Sequence, residues 1–126
     1  DNMPAVVDRL TNKPINLPKP ILENMDIVIF LEKFKVGGRS IRKLKELVEI
    51  VGYDYNNKEL VTNSSFKYNP ATNKWDSFDS VILDKIRTRG GYSIEQLQRD
   101  IQRRIKLLNY LKAKNVNDSS HFLRLY

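Results

Sequence analysis

The sequence predicts an α+β fold, antiparallel β-hairpins followed by a C-terminal helical cap, and three observations carry that expectation. Residues 26–78 hold short β-branched and aromatic runs separated by Gly37-Gly38 and by Asn69-Pro70, which are turn signals. From Ser80 onward the apolar spacing changes to steps of three and four. Ser93, with Gln96 three residues later, has the signature of a capped helix start. The chain accordingly divides at 79/80, with strap, strands and hairpins over 1–79 and a helical subdomain over 80–126.

Taken in order, Pro4 to Leu10 forms a short helix with proline in its first turn, where the missing N–H costs nothing. Pro14, Pro18 and Pro20 bias the residues before them away from helix, so Asn12 to Lys19 is expected to be an extended or turning strap. Ile21 to Asn24 adds a helical turn. Asp26 to Leu31, DIVIFL, is a continuous β-branched and aromatic run and reads as a central strand covered on both faces. The stretch from Arg39 to Tyr53 fits a helical stripe (Ile41, Leu44, Val48, Val51) and an imperfect alternation alike. Gly37-Gly38 tolerates the positive φ of a type I′ turn and tips the reading to two strands. A second hairpin follows: Val61, Phe66 and Tyr68 go out, residues 69–73 turn, and Trp75 and Phe78 return. A short helix runs from Ser80 through Ile86 and is closed by Gly90-Gly91. In the long helix after Ser93, Leu97, Ile101, Ile105, Leu108 and Leu111 fall on one stripe. Asn117 or Asp118 caps a last helix in which Phe122 and Leu125 pack inward.

Composition narrows the function. The 126 residues are 40% hydrophobic and 29% charged, as in folded rather than disordered chains. The longest apolar run, Ile27 to Leu31, falls far short of the roughly 20 residues that cross a bilayer. Without cysteine there is no disulfide and no thiolate metal site, and a cytoplasmic home is the expectation. A net charge of +7 invites nucleic acid, anionic headgroups or an acidic protein surface, although the charge is spread along the chain.

The motifs of self-contained chemistry are missing. No glycine starts a phosphate-cradling G-x-x-x-x-G-K-[ST] run. His121 is the single histidine, which leaves no two-histidine zinc site, and it reads as a surface or packing residue. Glu46 and Glu49 are three apart, so on a strand they point to opposite faces and on a helix to nearly the same one. Paired-carboxylate catalysis needs the helical arrangement and a cleft; solvated or ion-paired strand residues are the expectation. Phe66, Tyr68 and Trp75 suit an aromatic cluster closing a hairpin better than a base-stacking platform. Arg99, Arg103, Arg104 and Lys106 suit the wet face of a helix better than a phosphate-binding stripe.

AVVDRLTNKPINLPKPILENMDIVIFLEK, LVEIVGYD and NSSFKYNPATNKW together resemble the region that follows the catalytic motifs in archaeal secretion ATPases. These are the hexameric motors of archaeal type IV pili, archaella and related secretion systems, within the type II/type IV secretion ATPase superfamily. The resemblance spans the chain. Its most specific elements are Arg9-Leu10 followed by Pro14-Ile15-Asn16-Leu17-Pro18, the Asp26 strand, the run Val48 to Asp54, and Phe66 through Pro70. It implies that the hairpins form the edge of a RecA-like sheet, that the strap packs along an upstream catalytic core, and that the chain is the end of a larger enzyme. It implies that ATP and Mg²⁺ belong to that parent, with no catalytic, cofactor or metal residue in this chain. Arg9, Asn16 and Glu46 match recurrent polar positions and are expected to make structural or intersubunit contacts. The implied partners are neighbouring ATPase subunits and a polytopic membrane platform protein, at the inner face of the cell membrane, with no nucleic acid. A free-standing basic nucleic-acid-binding module is the alternative that charge and the aromatic hairpin leave open.

Overall fold

A computed structural model describes residues 2–116 and Asp118, and the side chain of Val36 is left aside. The proposed last helix with Phe122 and Leu125, and His121, lie outside the described residues. The chain forms two compact units, residues 1–84 and 85–126. The first is built on a four-stranded antiparallel sheet, the second on helices.

Helix α1 (Met3–Thr11) starts where the Asn2 side chain accepts a hydrogen bond from the Ala5 N–H, with Pro4 in the first turn. The strap after it does not run straight: the Asn16 N–H donates to the Asn12 carbonyl and the Leu17 N–H to the Leu10 carbonyl, which folds it back on α1. A 3₁₀ helix, η1 (Lys19–Asn24), then buries Leu22 where it packs on the sheet.

Strands β1 (Ile27–Val36), β2 (Arg39–Asp54), β3 (Glu59–Asn69) and β4 (Lys74–Ser77) follow in sheet order β1-β2-β3-β4. The ambiguous stretch is therefore strand, and Gly37 and Gly38, at φ +55° and +77°, make the turn that joins β1 to β2. The run from Asp26, expected at the centre of a sheet and covered on both faces, is instead an edge strand. Only one face is covered. Phe30 is buried at 6% exposure, whereas Ile27, Ile29 and Leu31 on the other face are 43%, 55% and 68% exposed. A continuous apolar run reports a liking for burial; it cannot report how many neighbours the rest of the chain supplies.

Register is interrupted three times by extra residues: at Lys45 opposite the Phe30–Leu31 step, at Ser65 opposite the Leu47–Val48 step, and at Val51 before Gly52. β2 pairs with β1 over residues 39–49 and with β3 over 46–54, so three strands lie side by side only where Glu46 to Glu49 belong to both ladders. Two rungs span all four strands, Ile29–Leu47–Phe66–Ser77 and Phe30–Glu46–Lys67–Asp76. In the second, the carboxylates of Glu46 and Asp76 flank Lys67, a favourable cross-strand order. The core lies beside this junction: Val48 and Ile50 of β2, Phe30 of β1 and Leu22 of η1 are all under 7% exposed.

At the far end of β3 and β4, Tyr68 opposes Trp75, as the predicted second hairpin requires. The indole N–H of Trp75 donates to the Leu44 carbonyl (2.8 Å), Phe66 stacks on its ring, and Lys43 Nζ stands 4.5 Å from the centroid of Tyr68. The aromatic cluster closes the hairpin against β2.

Helix α2 (Val81–Gly90) ends at Gly91, whose φ of +65° suits glycine, and the Tyr92 ring lies directly over Gly90. Helix α3 (Ile94–Ala113) carries the expected capping box: Ser93 Oγ accepts from the Gln96 N–H, and Gln96 Oε1 accepts from the Ser93 N–H. Its stripe differs from the expected one. Leu111 is buried and Leu97 and Ile101 are half-buried, but Ile105 and Leu108 are 43% and 61% exposed, and Leu107 takes the inner position. Spacings of 3.6 residues accommodate either neighbour, and packing decides between them. Among the described residues no helix is long and apolar enough to cross a membrane.

Ile50, 1% exposed in the core beside the junction, sets the cost of opening the core. Ile50→Ala is expected to lower unfolding stability by about 3 kcal/mol, read from the midpoint of urea denaturation at unchanged slope.

Candidate functional site: a buried carboxylate and a bare sheet edge

Glu46 and Glu49 point to opposite faces of β2, as a strand requires. Their surroundings differ sharply. Glu46 is half-buried and accepts a hydrogen bond from Ser64 Oγ at 2.8 Å. Glu49, expected to be solvated or ion-paired, is neither: it is 2% exposed and held by uncharged donors. Ser80 Oγ donates to Oε1; Asn63 Nδ2 (3.1 Å) and the backbone N–H groups of Val81 (2.8 Å) and Ile82 (3.4 Å) donate to Oε2.

These last two are first-turn donors of α2, which have no partner within their own helix. A carboxylate at that point satisfies them and meets the positive end of the helix dipole. The Glu49 carboxylate thus caps α2 from another element, while Ser80 Oγ accepts from the Leu83 N–H in the local capping arrangement. Asn63 ties the site to the preceding loop by also donating to the Asp79 carbonyl (2.8 Å). Desolvation works to raise the Glu49 pKa, but the hydrogen bonds from Ser80, Asn63, Val81 and Ser65 outweigh it and hold the carboxylate below the ordinary value of 4.5.

The rest of the run from Val48 to Asp54 is equally structural. Gly52 follows the extra residue Val51 and restores pairing with Val61. Asp54 accepts from the N–H groups of Asn56 (2.9 Å) and Asn57 (3.3 Å) and from Asn57 Nδ2 (2.6 Å), which builds the turn into β3 and lowers its own pKa. Through Glu49 and Asn63, the stretches Val48–Asp54 and Asn63–Ser65, separate in sequence, meet in the fold.

The three positions singled out by resemblance lie on separate elements. Arg9 is exposed in the last turn of α1, where a cation complements the helix dipole. Asn16 sits in the strap at φ +56°, its N–H bonded to Asn12, and no hydrogen bond joins it to Glu46. Among the described residues no cluster of three or more His, Asp or Glu side chains suited to a metal ion occurs. Arg99, Arg103, Arg104 and Lys106 are all exposed on α3, with Arg104 paired to Asp100 (2.7 Å).

The second feature is the edge of the sheet. Ile27, Ile29 and Leu31 project from an edge strand whose outer backbone groups pair with no other strand among the described residues. Along this strand a groove of about 370 Å³ is lined by Val6 of α1, by Val28 to Lys33, and by Lys45. Ile15 and Leu17 of the strap are also exposed, at 47% and 36%.

Three proteins of Methanocaldococcus jannaschii align with nearly the whole chain. The uncharacterized protein MJ1287 is 30% identical over 112 residues, covering 87% of this chain and 42% of its own length. The uncharacterized protein MJ0781 is 27% identical over 121 residues, covering 92% of this chain and 17% of its own length. The uncharacterized protein MJ0900 is 24% identical over 124 residues, covering 93% and 22%. The chain thus spans less than half of each of these relatives. No protein-family model matches it.

The Glu49 site predicts a signed pH dependence. Its folded pKa is lowered, so its contribution is complete above the ordinary value of 4.5 and is lost as pH falls through the lowered one. Glu49→Gln keeps the shape but brings an N–H₂ group among donors, and should cost about 2 kcal/mol at neutral pH. Chemical denaturation across about pH 6 to pH 3 should show a steeper acid loss in the native protein than in the variant, the curves converging at low pH.

Proposed function

We infer that this chain is the C-terminal portion of a cytoplasmic hexameric ATPase that powers assembly or secretion of pilin-like subunits at a membrane platform. It serves subunit contacts and force transmission, not hydrolysis. The bare face of β1 carries this reading. Ile27, Ile29 and Leu31 belong to a run composed for burial on two sides, and one side is open. A larger sheet, RecA-like in this reading, that continues past β1 along Ile27–Leu31 would cover both the apolar face and the unpaired edge there. The exposed Ile15 and Leu17 of the strap fit a packing partner of the same kind. The alignment of 87% to 93% of the chain with less than half of each longer archaeal relative fits a chain that is one segment of a longer protein.

In this reading ATP and Mg²⁺ are held by parts of the longer protein, and no step of hydrolysis falls to a residue described above. Arg9, Asn16 and Glu46 act as structural or intersubunit groups. The nucleic-acid alternative fits less well, because Lys43 and Phe66 already lie against the aromatic rings that base stacking would use.

ATP turnover measured on this chain and on the gene product extended upstream of Asp1 tests the proposal. Turnover by the extended protein alone is expected; turnover by the short chain, or none by the extended one, overturns it. In parallel, Leu31→Ser should change the stability of the short chain by less than about 0.5 kcal/mol and that of the extended protein by about 2 kcal/mol. Equal effects in both would mean that nothing upstream covers β1.

A further inference from the structure

The β1–β2 hairpin gathers cations toward its tip. From Lys33 to Lys43 it carries Lys33, Lys35, Arg39, Arg42 and Lys43 and no acidic residue. Its register sets Lys33 directly opposite Arg42 and Lys35 opposite Ser40. Alternation therefore gathers Lys33, Lys35 and Arg42 on one face of the ribbon, with Phe34 opposite Ile41 on the other. Like charges directly opposed across a ladder are destabilising. Among the described residues no carboxylate offsets them: the neighbouring one, Glu32, is paired with Lys45 (2.9 Å), and Lys33, Lys35 and Arg42 form no ion pair. All three are exposed. A local arrangement that costs stability without internal compensation points to a compensating anion outside the chain.

We propose that this hairpin face, Lys33, Lys35 and Arg42 with the Gly37-Gly38 apex, is a docking surface for an anionic lipid bilayer. The partner follows from shape and chemistry. The cations stand on a ribbon whose apex has two residues without side chains, so the backbone at the tip can approach a headgroup layer closely. Among the described residues no buried polar group converges on the face to select one small ligand, and long flexible side chains suit a fluid array of phosphates and carboxylates. Duplex DNA accepts a two-stranded ribbon in its major groove, where Arg and Lys read guanine, so it is the competitor that the test sets against the vesicles. Single strands want open aromatic faces, and those of Tyr68 and Trp75 are taken by Lys43 from the same ribbon. Lys43 in turn donates to Tyr68 Oη (3.0 Å) and to Asn73 Oδ1, which anchors the ribbon and presents the cationic face from a fixed backbone. This inference does not depend on the ATPase reading.

Co-sedimentation of the chain with phosphatidylserine–phosphatidylcholine vesicles, against phosphatidylcholine alone, tests it. Binding to the anionic vesicles alone is expected, weakening as salt is raised. Each cation removed should weaken it about fivefold, so the triple variant Lys33→Gln, Lys35→Gln, Arg42→Gln should lose roughly 100-fold. That variant should be at least as stable to urea as the native chain, because the opposed charges are gone. Arg99→Gln, Arg103→Gln, Lys106→Gln removes the same charge from α3 and should retain binding. The proposal is overturned by absence of anionic-vesicle binding, by equal loss in both triple variants, or by duplex DNA outcompeting the vesicles at equal phosphate concentration.

Discussion

The sheet and the helix after it are joined by one buried carboxylate. Glu49 lies on β2 and answers the unpaired donors at the start of α2, so residues up to 33 positions apart are bound to a single pair of oxygens. Burying a charge is costly unless hydrogen bonds replace the lost water, and here four described donors do so. That requirement dictates much of the local sequence. Asn63 must reach both Glu49 and the Asp79 carbonyl, Ser80 must both give to Glu49 and receive from Leu83, and the extra residue Ser65 lets β3 present polar groups to both glutamates.

This network changes the meaning of the motifs. The polar positions of Val48–Asp54 and Asn63–Ser65 look like chemistry when read as a string. In the fold they are a helix cap, a correction of register and a turn, all of which a chain needs whether or not it binds a nucleotide. A motif whose residues satisfy one another is evidence of architecture. The composition of β1, which the described chain leaves half uncovered, is the feature that points outward.

How much was legible in the sequence follows from which signals are local. Gly37-Gly38, the turn at 69–73 and the Ser93–Gln96 box were readable because each is decided by the backbone of a few adjacent residues. The division of Arg39 to Tyr53 between helix and strand was not fixed by period; the turn before it decided the matter. Glu49 was hidden for a different reason. Its partners stand 14 to 33 residues away, and a glutamate in a strand with lysines nearby looks like a surface residue until the fold brings Asn63, Ser80 and Val81 to it. A short signal existed in hindsight, since Glu49 interrupts Val48 and Ile50, both buried, at the strand's most apolar point. The edge position of β1 and the exposure of Leu108 escaped because strand order and helix rotation are properties of neighbours. The strap was half legible: prolines predicted the break in helix, and the fold-back onto Leu10 depended on backbone bonds that no residue type announces.

The narrow zone in which β2 belongs to both ladders has a mechanical corollary. Outside Glu46–Glu49, β2 belongs to one ladder at a time, to β1 toward Gly37-Gly38 and to β3 toward the Asp54–Lys58 turn, while β3 and β4 pair over Phe66–Asn69. Two-stranded arms coil more strongly than wide sheets and open at lower free energy. The arm toward Gly37-Gly38 is braced by the bonds of Lys43 and Leu44 to Tyr68, Asn73 and Trp75, so its stiffness depends on the aromatic cluster as well as on the side chains packed beside that narrow zone.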